Sequence, residues 1–146
     1  MTNKQLISIF MFILLSISII GCTNQVSSSQ PQTSPQYPPE QTVKTFYSDL
    51  INRGSSLLAD DDYLKSPFLS ENAKESISNT IKNFEMGGAF DPFICAQDTP
   101  PSISVSSATL DEKKASVSVT TGFGNQILIT LIPEGDMWLI DSFTCQ

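Results

Sequence analysis

Histidine is absent from this chain. That removes the side chain that most often acts as a general base near neutral pH, and the commonest metal ligand. Serine–histidine and cysteine–histidine nucleophile pairs are excluded with it. Charge is scarce as well. Only 16% of the 146 residues are Asp, Glu, Lys or Arg, against about 25% in an average soluble domain. Positive charge is the scarcer sign: 8 Lys and Arg stand against 15 Asp and Glu, for a formal net charge of −7. With no basic stripe to follow a phosphate backbone, nucleic acid is a poor partner. The same shortage argues against electrostatic attraction to anionic lipid headgroups. Long apolar runs are missing except for one, at the N-terminus, and no motif implies a cofactor.

That run sits in "MTNKQLISIFMFILLSISIIGC", residues 1–22. Lys4 supplies a positive start, Leu6 to Ile20 is uncharged and apolar, and Gly21 is a small residue ahead of Cys22. This is the layout of a secretory signal. A transmembrane helix is the competing reading, but the run is short of the roughly 20 residues a span requires and a polar tail follows it. The end of the run, "IIGC" (Ile19 to Cys22), resembles the lipobox of bacterial lipoproteins. The resemblance covers only the first 22 residues. It implies a signal peptide over 1–21, cleavage before Cys22, and attachment of acyl chains of the palmitate kind to Cys22. Each buried methylene contributes about 0.8 kcal/mol, and two or more chains hold stably where one does not. The expected location is the bacterial cell envelope, with the rest of the chain tethered to a membrane and facing the extracytoplasmic side. Residues 22–40 comprise that cysteine and a Ser/Gln/Pro-rich stretch, "TNQVSSSQPQTSPQYPPE". Such a segment buries too little to offset its ordering entropy. It reads as a tether reaching between roughly 20 Å as a coil and 55 Å as extended polyproline II. A proline-based recognition ligand is the alternative reading.

Residues 41–146 form the folding part, an α+β domain. In "PPEQTVKTFYSDLINRG", Val43, Phe46, Tyr47, Leu50 and Ile51 mark one helix face, with Glu40 in the first turn, Arg53 in the last and Gly54 as a stop. In "SENAKESISNTIKNFEMGG" the stripe is Ala73, Ile77, Ile81 and Phe84, with Ser70 as cap and Gly87-Gly88 as terminator. Between them Leu57, Leu58, Tyr63, Leu64, Phe68 and Leu69 need burial, while Pro67 limits the segment to a short helical turn. After Pro101 the apolar period changes to two. Turn signals at "DEKK", "GFGN" and "PEGD" then separate four strands. Gln126 to Ile132 is apolar on both faces and reads as central. The pattern predicts two or three N-terminal helices packed on a four-stranded antiparallel meander.

Four pieces, "PEQTVKTFYSDLI", "YLKSPFLSE", "DPFICAQD" and a terminal "WLIDSF", resemble the bacterial domain of unknown function 3828 family, over most of residues 39–145. The resemblance implies an α+β cone similar to nuclear transport factor 2-like or cystatin-like domains, and a secreted or lipid-anchored protein. It carries no established chemistry to transfer.

With Cys22 assigned to lipid, Cys95 and Cys145 remain. In an oxidising compartment two such cysteines suggest a disulfide; two buried free thiols are the alternative. If Trp138 and Ile140 face the core on one strand parity, Cys145 points the other way, so the strand end frays or bulges or the bridge lies on the outer face. Two cysteines without histidine fall short of a zinc set. Asp91, Asp98 and Asp141 are the candidate pocket. Converging carboxylates could do acid–base chemistry on a polysaccharide. The other reading is that Asp91 and Asp98 cap turns beside their prolines. The "DDD" at Asp60 to Asp62 fails the calcium-loop template, since Leu64 and Lys65 stand where a ligand and a glycine belong. Phe123, between Gly122 and Gly124, is either an exposed partner contact or a side chain folded over the sheet edge. Tyr47, Phe68, Trp138 and Phe143 read as core rather than as ligand-stacking groups. The function expected is a non-enzymatic binding module, of an inhibitor or immunity kind, for an envelope protein or small ligand. A carboxylate-dependent hydrolase and a purely structural envelope protein are the alternatives.

Overall fold

A computed structural model describes residues 35–53, 62–85 and 90–146. The signal segment 1–21, Cys22, the tether up to Ser34, Leu57, Leu58, Asp60, Asp61 and Gly87-Gly88 lie outside the described residues, as does the side chain of Phe84. Helix α1 spans Pro39–Arg53. Its opening proline occupies a position where no backbone N–H is needed and where a fixed φ helps. Val43, Phe46, Tyr47 and Leu50 are buried along one face. A 3₁₀ turn, Asp62–Lys65, follows and drives Tyr63 into the interior. Helix α2 spans Glu71–Glu85. Ser70 caps it, its Oγ accepting from the Ala73 N–H at 3.2 Å. Ala73, Ile77 and Ile81 form its buried stripe. No helix among the described residues is long and apolar enough to cross a membrane.

Among the described residues five antiparallel strands make one open sheet: β1 (Ile103–Val105), β2 (Thr109–Asp111), β3 (Lys114–Thr121), β4 (Gln126–Glu134) and β5 (Met137–Cys145). The order is β1-β3-β4-β5, with β2 also paired to β3. The α+β class and the central place of β4 agree with the sequence pattern. The strand count differs, because the expected first strand is two. Between Val105↔Val119 and Thr109↔Ser116, the three residues Ser106 to Ala108 face two on β3. Ser106 holds the gap: its N–H donates to Ser118 O and its Oγ accepts from Ser118 N–H, both at 2.9 Å. A side-chain oxygen thus replaces a ladder carbonyl where the extra residue interrupts pairing.

The register Ala115↔Leu131, Val117↔Ile129 and Val119↔Ile127 aligns six buried side chains on one face. Helix α1 packs against β1, β3 and β5, and α2 against β5 and the 3₁₀ turn. The opposite face of β3 carries Ser116, Ser118 and Thr120, as expected of a sheet with one side toward water. The β4–β5 hairpin turns through Gly135-Asp136, where Gly135 has φ +61°, the left-handed region that glycine enters without steric cost.

A bulge in β5 answers the parity problem posed by Cys145. Leu131 pairs with Ile140, but Thr130 pairs with Ser142, so Asp141 is an extra residue. Beyond it the alternation inverts. Phe143 pairs with Ile129 and Cys145 with Ile127, both on the core-facing side, the same side as Ile140. The short segment Phe68–Ser70 lies alongside this edge. Ile140 N–H donates to Phe68 O at 2.8 Å and Ser70 N–H to Ile140 O at 2.9 Å.

Candidate functional site

The segment Asp91 to Ala96, "DPFICA", enters the domain as a closed loop. The Asp91 carbonyl accepts from Ile94 N–H at 3.3 Å and Cys95 N–H at 2.8 Å, while Asp91 N–H donates to Ala96 O at 2.9 Å. Cys95 has φ +52°, an uncommon conformation for a residue with a β-carbon, and this is where the chain reverses. The loop's polar backbone is also held from outside. Tyr47 Oη donates to Phe93 O at 2.7 Å, and Asn125 Nδ2 donates to Ile94 O at 3.3 Å and to Cys95 O at 3.0 Å. Asn125 belongs to the β3–β4 turn, so that turn and helix α1 both grip the loop.

Pinned in this way, the loop delivers Phe93 and Ile94 to the core, where they are 0% and 1% exposed. Phe93 lies among three aromatic rings, with centroids 4.7 Å from Phe46, 4.9 Å from Tyr63 and 4.3 Å from Phe143. These tilted and edge-on contacts are the favoured geometries for aromatic pairs. Cys95 and Cys145 are joined by a disulfide, with their Cα atoms 6.0 Å apart. The bond ties the loop to the far end of β5, next to the Phe93–Phe143 contact.

Asp91 is the only buried carboxylate among the described residues. Its Oδ1 accepts from Phe93 N–H at 2.8 Å, an Asx-type turn, and its Oδ2 accepts from Tyr63 Oη at 2.5 Å. Burial disfavours the ionised carboxylate and pushes its pKa up. The bonds from Tyr63 and from the backbone N–H groups oppose this without reversing it. Burial likewise raises the Tyr63 and Tyr47 hydroxyls well above the usual phenol range, and the Asp91 charge raises both further. A carboxyl with a raised pKa has the property of a general acid. Here, however, its two oxygens point at Tyr63 and at its own loop.

Asp98 and Asp141 are less buried. Asp98 is exposed. Asp141, the bulge residue, is half-buried and accepts from Ser70 Oγ at 2.9 Å, while its carbonyl accepts from Asn72 Nδ2 at 2.9 Å. It locks the start of α2 to the sheet. The three carboxylates of the candidate pocket thus differ in burial, and Asp91 and Asp141 have different hydrogen-bond partners. Among the described residues no group of three or more Cys, Asp or Glu side chains is placed to hold a metal ion. Asp62 pairs with Arg53 at 3.5 Å and with Lys65 at 3.2 Å. Phe123 is half exposed at 50%, at the tip of its glycine-flanked turn.

Two clefts on the described surface are lined by apolar side chains from the core. One, of about 120 Å³, lies between α1 and the 3₁₀ turn, with Phe46, Leu50 and Tyr63 inside and Arg53, Asp62 and Lys65 at its rim. The other, of about 350 Å³, lies beside the start of α1. Tyr37, Phe68, Met137 and Trp138 supply its apolar surface, and Gln41, Thr42 and Thr45 a polar wall. None of Asp91, Asp98 and Asp141 lines either cleft. Sequence reasoning placed Tyr37 in the tether and Trp138 in the core. Trp138 and Phe68 do pack against the core, half-buried, and each also shows a surface to the larger cleft. The available signal was the pair Thr42 and Thr45, neutral polar residues flanking the buried stripe of α1. Compared with known proteins, the chain matches no family model, no curated protein and no solved structure.

Proposed function

We propose that this protein is a lipid-anchored lipoprotein of the bacterial cell envelope, held through Cys22. Its α+β domain faces the extracytoplasmic side and binds a protein or small ligand without catalysing a reaction. The domain is of the unknown-function 3828 kind, a cone-like sheet wrapped on its helices. The observation that carries the binding reading is the state of Asp91. The one carboxylate buried among the described residues is engaged by Tyr63 and Phe93 inside a closed aromatic core, and lines neither cleft. Hydrolysis of a glycosidic bond needs two carboxyl groups flanking a site open to substrate. Binding needs an accessible apolar surface with a few polar groups. The larger cleft and the exposed aromatics Tyr37 and Phe123 have that character.

The test is crosslinking of the native protein in intact envelopes, followed by mass spectrometry, with the purified protein assayed in parallel on envelope polysaccharide. The binding reading expects reproducible crosslinks from the domain to a defined partner or ligand, and no release of reducing ends. Release of reducing ends by the native chain, abolished by Asp91→Asn, would overturn it in favour of a hydrolase.

A further inference from the structure

The geometry points to the larger cleft as a binding site for a neutral saccharide, one or two rings wide. This inference rests on the reading of the domain as a binding module and names its ligand class. Three observations converge. First, the cleft holds about 350 Å³ and is lined by Tyr37, Phe68 and Trp138, so three aromatic side chains border a ligand-sized space. Second, its other wall is hydrogen-bonding but uncharged. Gln41, Thr42 and Thr45 project from the first turns of α1, and Thr42 makes no side-chain hydrogen bond to another described residue. Third, none of the seven described residues that line it is Asp, Glu, Lys or Arg, in a chain whose net charge is −7.

A sugar ring has the complementary anatomy. Its C–H faces carry slight positive charge and pack on the negative face of an aromatic ring. Its hydroxyl edge both donates and accepts, as amide and hydroxyl side chains require. An ionic ligand would enter without a counter-charge, at a desolvation cost that nothing in the cleft offsets. A proline-rich peptide would use the aromatic surfaces but leave the three-residue polar wall largely idle.

Trp138 is the only tryptophan in the chain, so its emission reports directly on this cleft. The test uses the chain from residue 22 onward carrying Cys22→Ser, since every core contact described lies within residues 35–146. Maltotriose, triacetylchitotriose and the anionic trigalacturonate are titrated separately, to concentrations on the order of 10 mM, where even weak binding registers. The expected result is a saturable change in Trp138 emission with at least one neutral trisaccharide, and at least tenfold weaker binding of trigalacturonate. Tyr37→Ala removes a side chain that is 59% exposed, so the circular dichroism should stay unchanged. It should weaken binding at least tenfold, and Thr42→Val at least threefold. No saturable change with either neutral sugar would overturn the inference. So would an unaltered affinity in Tyr37→Ala, or a response only to a peptide of residues 30–40. Partner capture by crosslinking alongside silent sugar titrations would overturn the ligand class while the binding reading stands.

Discussion

Removing the Cys95–Cys145 bond should cost this domain a large part of its stability. The two cysteines are 50 residues apart, and the loop they close holds all five described strands, the last of which ends on Cys145 itself. In the chain-entropy description, closing a loop of that length lowers the entropy of the unfolded chain by about 14 cal/mol/K. At 25 °C this corresponds to about 4 kcal/mol, or roughly a thousandfold in the folding equilibrium. Marginal domains have only about 5–15 kcal/mol in total. The bond also has a local effect, holding the Asp91–Ala96 loop where Phe93 meets Phe143. The double variant Cys95→Ala/Cys145→Ala, compared with the oxidised chain in urea, should therefore unfold at a markedly lower midpoint. Trp138 emission reads the transition from β5 itself. Reduction of the native chain should give nearly the same displacement. Equal midpoints for the oxidised chain and the double variant, with the bond verified by intact mass, would refute the reasoning.

Three further outcomes follow from particular contacts. With Cys145→Ala as background, Cys95→Gly should be more stable than Cys95→Ala by about 1 kcal/mol in the same urea assay, because position 95 sits at φ +52° and only glycine enters that region without a β-carbon penalty. Asp91 keeps its proton in the folded chain at pH values where the unfolded chain has lost it. The folded state therefore binds more protons above the ordinary carboxylate range, and stability falls as pH rises through that window toward the raised pKa, by at most about 1.4 kcal/mol per pH unit. Asp91→Asn should remove this slope, so that the native chain loses ground to the variant as pH rises from about 4; parallel pH–stability curves would contradict it. Ser70→Ala removes both the cap of α2 and the bond to Asp141, and should destabilise by about 1 to 2 kcal/mol in thermal or chemical denaturation.

Both long helices were legible because each combines a buried stripe with chemically marked ends. Ser70 at the start of α2 and Pro39 at the start of α1 act within a few residues of themselves, which sequence patterns record. The central strand was legible for a similar reason, since Ile127 to Ile132 is apolar on both parities. The two bulges were not legible. An extra residue at Asp141 is defined by its mismatch with Thr130 and Leu131, and the break at Ser106 by the partner strand β3. Pairing of this kind is a property of two strands and leaves no mark on either one. The candidate site divided in the same way. Asp91 beside Pro92 reads locally as a turn former, and its bond to Phe93 N–H spans two residues. Its bond to Tyr63 spans 28 residues and arises only when the 3₁₀ turn docks against the loop. The larger cleft depends on Tyr37 and Trp138 meeting across 100 residues of chain, which no local period encodes.

Anchoring through Cys22 is the central functional claim, and the intact mass of the native protein, purified from the membrane fraction of its host, tests it most directly. The account predicts a chain that begins at residue 22, carries at least two acyl chains on that cysteine, and is lighter by two hydrogens for the Cys95–Cys145 bond. A mass corresponding to the unmodified chain from Met1, or to any form without lipid on Cys22, would contradict it.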